Sequence, residues 1–152
     1  YREWYPELGP AEIMFKATTA GRSWRGQVEE ADARAHQGAP TWVYQFDLPA
    51  ADRARGAPHT IDIEHVFDNL KQPGAMSGTG PPAMRVADQL STAFIQLART
   101  GNPNHAGLPQ WDQHTLANRE TMVFDADTRL ENDPRRRERE LFAKVPFIQW
   151  GT

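Results

Sequence analysis

The chain has no cysteine, which removes disulfides, thiol catalysis and cysteine-ligated metal sites together. It has only three serines, Ser23, Ser77 and Ser91. A serine nucleophile on a strand-turn-helix elbow needs glycine two residues to either side, because the strained turn leaves no room for side chains there. Ser23 follows Gly21 but precedes Arg25, Ser77 lies between Ala75 and Thr79, and Ser91 falls within an apolar helical stripe, so none fits. No apolar run approaches the ~20 residues that span a bilayer. Charge of one sign is also lacking. Seventeen Lys and Arg against twenty Asp and Glu give a formal net charge of −3, with no basic face for nucleic acid. The one basic run, Arg135, Arg136, Arg137 and Arg139, is interleaved with Glu131, Glu138 and Glu140 and reads as a solvated helix face. No nucleic-acid partner and no membrane span are expected.

What is present is a chain of single-domain length rich in breakers. Eleven glycines and twelve prolines with 39% hydrophobic residues leave long stretches without regular structure, as in a segment that wraps part of a larger core. It opens on Tyr1 and lacks a basic region followed by an apolar one, so a processed or truncated piece is expected.

Trp24, Val28, Ala31 and Ala35 recur at helical spacing and predict a helix over residues 20–37, stopped by Gly38 and Pro40. Thr41 to Leu48 is aromatic and β-branched and predicts a strand buried on both faces, as in a parallel sheet. Residues 50–58 form a loop that delivers the chain to His59, after which Ile61, Ile63 and Phe67 continue an apolar register. The stretch 71–82 predicts a flexible connector. Ala83, Ala87, Leu90, Phe94, Leu97 and Ala98 make one stripe of a helix over 82–100, with Pro82 near its start and Gly101 past its end. Thr121 to Phe124 predicts a second short strand, and Asp133-Pro134 a final helix with Asp133 as its N-cap.

His59 is the candidate for chemistry. A loop leaving a sheet is where a general base is presented, and Gly56 and Pro58 shape a turn ahead of it. Asp62 and Glu64 are the carboxylates close enough in sequence to influence it from behind. A metal site from His59, Asp62, Glu64 and His65 has no recognisable ligand spacing, and His65 sits in an apolar run that suits a hydrogen-bonded histidine of the core. No cofactor and no metal are expected. His36, His105 and His114 read as surface residues.

Taken together, these segments resemble the C-terminal portion of type-B carboxylesterases, the family that includes bacterial esterases and cholinesterases. Trp42-Val43-Tyr44-Gln45-Phe46-Asp47 is similar to the family's aromatic strand, and Gly56-Ala57-Pro58-His59 with Asp62 and Val66-Phe67 to its catalytic-histidine motif. The run from Phe94 through Gly101-Asn102-Pro103-Asn104 resembles the helix end before its Trp-Pro segment, and Thr121 to Asp125 its late strand. The likeness extends from about Thr18 to Phe142. It departs at Thr60, where a small residue is common, and at Glu64-His65, where a more apolar pair is usual.

The resemblance implies the last strands and helices of an α/β-hydrolase fold, with a triad in the chain order serine, acid, histidine. His59 is then the catalytic histidine, and serine and acid lie upstream. The expected partners are a small-molecule ester and the N-terminal remainder of the same protein. By itself the chain should be inactive and should expose apolar surface. The competing expectation is a non-catalytic, cholinesterase-like interaction module, since hydrolase folds are reused without their chemistry.

Overall fold

A computed structural model of the chain describes residues 1–146. It divides into two units, Thr41–Asn132 and a second made of Tyr1–Pro40 with the chain from Asp133 on.

The Thr41–Asn132 unit is organised by a three-stranded sheet in the order β1 (Val43–Phe46), β2 (Glu120–Phe124), β3 (Arg129–Asn132). β1 and β2 are parallel, with Val43 opposite Thr121 and Phe46 opposite Phe124. β3 returns antiparallel to β2, Met122 facing Leu130. Every residue of β2 is buried, as expected of a strand paired on both edges, whereas in β1 only Val43 is. The two-sided burial expected of residues 41–48 therefore belongs to β2 instead. Among the described residues β1 pairs with β2 alone, which leaves one of its edges open, and Tyr44, Gln45 and Phe46 are only half-buried.

The crossover between the parallel strands carries α3 (Ile61–Val66) and α4 (Pro81–Thr100). α4 follows the sequence signals closely: Pro81 and Pro82 open it, and Gly101 closes it in the left-handed conformation at φ 76°, its N–H donating to the Leu97 carbonyl. Ala83, Val86, Ala87, Leu90 and Ala93 are buried along one face, packed in a core with Leu48, Leu70, Trp111, Met122 and Phe124. Small side chains at three of these five positions let the helix lie close against its neighbours. Phe94 and Leu97 continue the stripe but are exposed.

Beyond Gly101, side chains replace regular structure. Asn102 Oδ1 accepts from the Asn104 N–H at 3.0 Å and from Asn104 Nδ2 at 2.8 Å. Asn104 in turn accepts from the Trp111 N–H at 2.7 Å and donates to its carbonyl at 2.9 Å, so one amide side chain pairs with that residue as a neighbouring strand would. The Trp111 side chain is buried in the core against Tyr44 and Phe124, and the chain is delivered into β2.

In the other unit, α1 (Pro10–Thr19) was not anticipated. Pro10 at its first position and Glu12, whose carboxylate accepts from the Gly9 N–H at 2.8 Å, were the available signals. A π-helical turn, Ala20–Trp24, joins α1 to α2 (Arg25–His36), so the helix expected over 20–37 starts ten residues earlier. Gly21 in that turn faces the Phe142 ring, where a Cβ would come within 2.7 Å. α5 (Arg136–Phe142) is not capped by Asp133, whose carboxylate instead accepts from Arg139 at 2.6 Å. Nor is its charged face uniformly solvated. Glu138 is buried, gripped by Arg135 at 2.5 and 2.9 Å, and that guanidinium lies over the Trp24 ring.

Candidate active site

His59 stands in the turn between the loop that leaves β1 and the first turn of α3, and it is exposed. Residues 61–67, for which the sequence offered only an apolar register at Ile61, Ile63 and Phe67, are helical from Ile61 to Val66, following a sharp turn. Thr60 adopts the left-handed conformation at φ 76°, the Ile61 N–H donates to the Pro58 carbonyl, and the Ile63 N–H donates to Thr60. A threonine at positive φ is uncommon, since its branched Cβ crowds the backbone there. The surrounding contacts hold the turn in that conformation.

Those contacts come from α3. Ile61, Glu64 and His65 are buried, three and four residues apart and so on one side of the helix. Six residues are too few for a helix to persist without tertiary support. Ile61 is 2% exposed. The Glu64 carboxylate accepts two successive main-chain N–H groups from the connector, Met76 at 2.8 Å and Ser77 at 2.6 Å. His65 is fully buried beside the Phe46 ring, with Nδ1 3.1 Å from the Ile61 carbonyl. That contact requires Nδ1 to carry the proton, leaving Nε2 as an acceptor with no partner among the described residues. Burial pushes the His65 pKa below the usual imidazole value, opposed by the Ile61 carbonyl and by Glu64 and Asp62.

Asp62 lies at the side of α3 and accepts from the Tyr44 hydroxyl at 2.8 Å, which ties the helix to the middle of β1. Burial, and then this carboxylate, push the Tyr44 pKa well above the ordinary tyrosine value. Tyr44 also meets Phe94, Trp111 and Phe124 edge-on.

The structure thus brings His59, Asp62, Glu64 and His65 into one short segment, yet gives them separate surroundings. His59 makes no side-chain hydrogen bond or ion pair among the described residues. Asp62 is engaged with Tyr44, Glu64 with the connector, and His65 with the core. Among the described residues no three metal-type side chains converge, and no helix is long and apolar enough to cross a membrane. The connector, expected to be flexible, is irregular but held at Met76 and Ser77. His114, expected at the surface, is buried.

Sequence reasoning missed Tyr44 as a partner of this segment. An aromatic hydroxyl on a half-buried strand generally finds an acceptor, and a carboxylate eighteen residues later was available.

Residues 12–142 match the model of the carboxylesterase family. Over 120 residues the chain is 31% identical to para-nitrobenzyl esterase of Bacillus subtilis, an alignment covering 77% of this chain and 24% of that protein. Phenmedipham hydrolase of Pseudarthrobacter oxydans is 39% identical over 87 residues, 53% of this chain and 17% of the relative. Among solved structures, a Geobacillus stearothermophilus carboxylesterase superposes with a TM-score of 0.68 at 37% identity, over 77% of this chain and 25% of that one. An esterase from Clostridium hathewayi superposes at 0.72 with 26% identity, over 94% of this chain and 28% of its own. The chain therefore spans between 17% and 28% of the length of these relatives.

Proposed function

The chain belongs to the carboxylesterase family, with the architecture of an α/β-hydrolase segment, and on that premise we propose that it is the C-terminal part of a serine-dependent carboxylic-ester hydrolase whose catalytic base is His59. The observation that carries this reading is the presentation of His59: exposed, in a backbone-constrained turn beyond a parallel strand, within the stretch matched to the family. Loops beyond the carboxyl ends of parallel strands are where α/β folds place their ligands.

In the proposed reaction the neutral imidazole of His59 takes the proton of a serine hydroxyl as that oxygen attacks the ester carbonyl. It returns the proton to the alcohol oxygen as the ester C–O bond breaks, leaving an acyl-serine. Water then repeats the two steps and releases the acid. The serine, the carboxylate that orients the imidazole and the oxyanion-stabilising loop lie in the rest of the protein, upstream of Tyr1. Asp62 is already engaged by Tyr44, which favours a role in placing the His59 turn over direct pairing with the ring. The open edge of β1 and the exposed Phe94 and Leu97 are the surfaces that the upstream part would cover. The chain alone, without nucleophile, should not turn over esters.

The full-length protein should hydrolyse p-nitrophenyl acetate, and His59→Ala should remove roughly 10⁴- to 10⁶-fold of that rate, since triad members act as a unit. An unchanged rate in His59→Ala, or a full-length sequence without Gly-x-Ser-x-Gly upstream, would sink the proposal.

A further inference from the structure

We propose that Glu64 is a positioning residue for His59, acting through the backbone of the connector; this rests on His59 being the catalytic base. No side-chain partner among the described residues fixes the His59 ring, so its location is inherited from the main chain of residues 58–61. That turn is only as well placed as the short helix behind it.

Glu64 joins three stretches distant in sequence. Its two carboxylate oxygens each take one of the successive N–H groups of Met76 and Ser77, an arrangement in which consecutive amides form a concave anion site. The Met76 carbonyl accepts from the Ala51 N–H at 2.8 Å, in the loop that leads to His59. That loop is closed at its base by the Ala50 N–H donating to the Gly56 carbonyl at 2.8 Å. Gly78, left-handed at φ 68°, lets the connector lie against Ala51: a Cβ there would stand 3.3 Å from that of Ala51. One buried carboxylate therefore couples the helix after His59 to the loop before it, through a connector whose Met76 also holds the Ala51 N–H. A displacement of the base by about 1 Å is enough to cost on the order of 100-fold in rate.

Glu64→Gln keeps the shape but offers one acceptor oxygen, turning an NH₂ group toward the second N–H. In the full-length enzyme it should lower kcat for p-nitrophenyl acetate by about 10- to 100-fold with KM changed less than threefold. In a His59→Ala background the same substitution should cost less than twofold, because a residue acting only through His59 has nothing left to position. Equal losses in both backgrounds would mark Glu64 as a general stabiliser and overturn the inference. If Glu64→Gln does not fold, Glu64→Asp, which keeps both acceptors one methylene short, gives the same comparison with a smaller loss. A large loss in His59→Ala combined with an unchanged rate in folded Glu64→Gln removes only the role of Glu64. An unchanged rate in His59→Ala removes the underlying reading itself.

Discussion

The segment from His59 to Phe67 has two faces that differ in almost every property. Facing inward, Ile61 and His65 are 2% and 0% exposed and Glu64 is buried with both oxygens engaged. On the outer side, His59 is exposed, with Ile63 and Phe67 at 49% and 71%. The inner face turns a six-residue helix and a strained turn into a fixed platform. The outer face leaves an imidazole and two apolar side chains in the open, as the base role proposed for His59 requires. Position within the segment should therefore separate a direct effect on the chemistry, at His59, from effects that act through stability and the placing of the turn.

The sharpest test of that separation is stability in the variant expected to lose most activity. His59→Ala removes a ring that is exposed and without side-chain hydrogen-bond partners among the described residues, and in the full-length protein it loses only the proposed pairing with the upstream carboxylate and serine, so urea unfolding should shift by no more than about 1.5 kcal/mol. A loss of several kcal/mol would mean that His59 belongs to the platform. On the inner face, Ile61→Ala should behave in the opposite way. A buried isoleucine reduced to alanine costs about 2–5 kcal/mol where the site cannot collapse, and the same unfolding experiment reads it directly. Activity should then fall at least as far as the folded fraction, and further where the loosened turn displaces His59, whereas His59→Ala loses activity with little loss of stability.

A third test uses pH on the inner face. Burial holds the folded-state pKa of His65 below the unfolded value of about 6.5. The unfolded chain consequently takes up the proton first, and this contribution to stability is complete above pH ~6.5 and declines as pH falls toward the folded-state value. Glu120 acts in a lower window. Burial raises its pKa, but hydrogen bonds from its own N–H, Asn118 and Thr115 outweigh this and hold it below the usual carboxylate value. Its contribution is present above about pH 4.3 and is lost on further acidification. His65→Phe, which suits the apolar site beside Phe46, should unfold with a shallower dependence on pH between 6.5 and 5 than wild type. Parallel curves would show that His65 is not the group that titrates.

How far the sequence anticipates this architecture depends on whether the signal is local. α4 and β2 carry their own caps, stripe and β-branched residues, and both are found where periodicity places them. The position of His59 in a turn after a strand is legible for the same reason. α3 is not, because Ile61-Asp62-Ile63-Glu64 alternates with period two and reads as a strand. It is helical because burial at 61, 64 and 65 and the left-handed Thr60 outweigh that pattern. β3 escapes for lack of signal: Arg129-Leu130-Glu131-Asn132 has one apolar residue, and its existence depends on backbone pairing with β2. The partners of Asp62 and Glu64 are eighteen and twelve to thirteen residues away, a range at which spacing alone identifies nothing.

Between the two faces lies Asp62, and its bond to Tyr44 gives the smallest of these effects. Tyr44→Phe keeps the ring, and with it the edge-on contacts to Phe94, Trp111 and Phe124, while deleting only the donor that Asp62 accepts. Asp62 is partly exposed and water can replace the lost hydroxyl, so the cost should stay near 1 kcal/mol. If Asp62 places the turn, kcat should fall by a few-fold at most and Asp62→Asn should match it, since either change breaks or weakens the same tie. If the carboxylate instead orients the imidazole directly, the two variants part company. Freed from Tyr44, Asp62 would pair more closely with His59 and hold or raise the rate, whereas Asp62→Asn would lower it by orders of magnitude. Comparing kcat of the two variants therefore decides whether Asp62 belongs with the platform or with the chemistry.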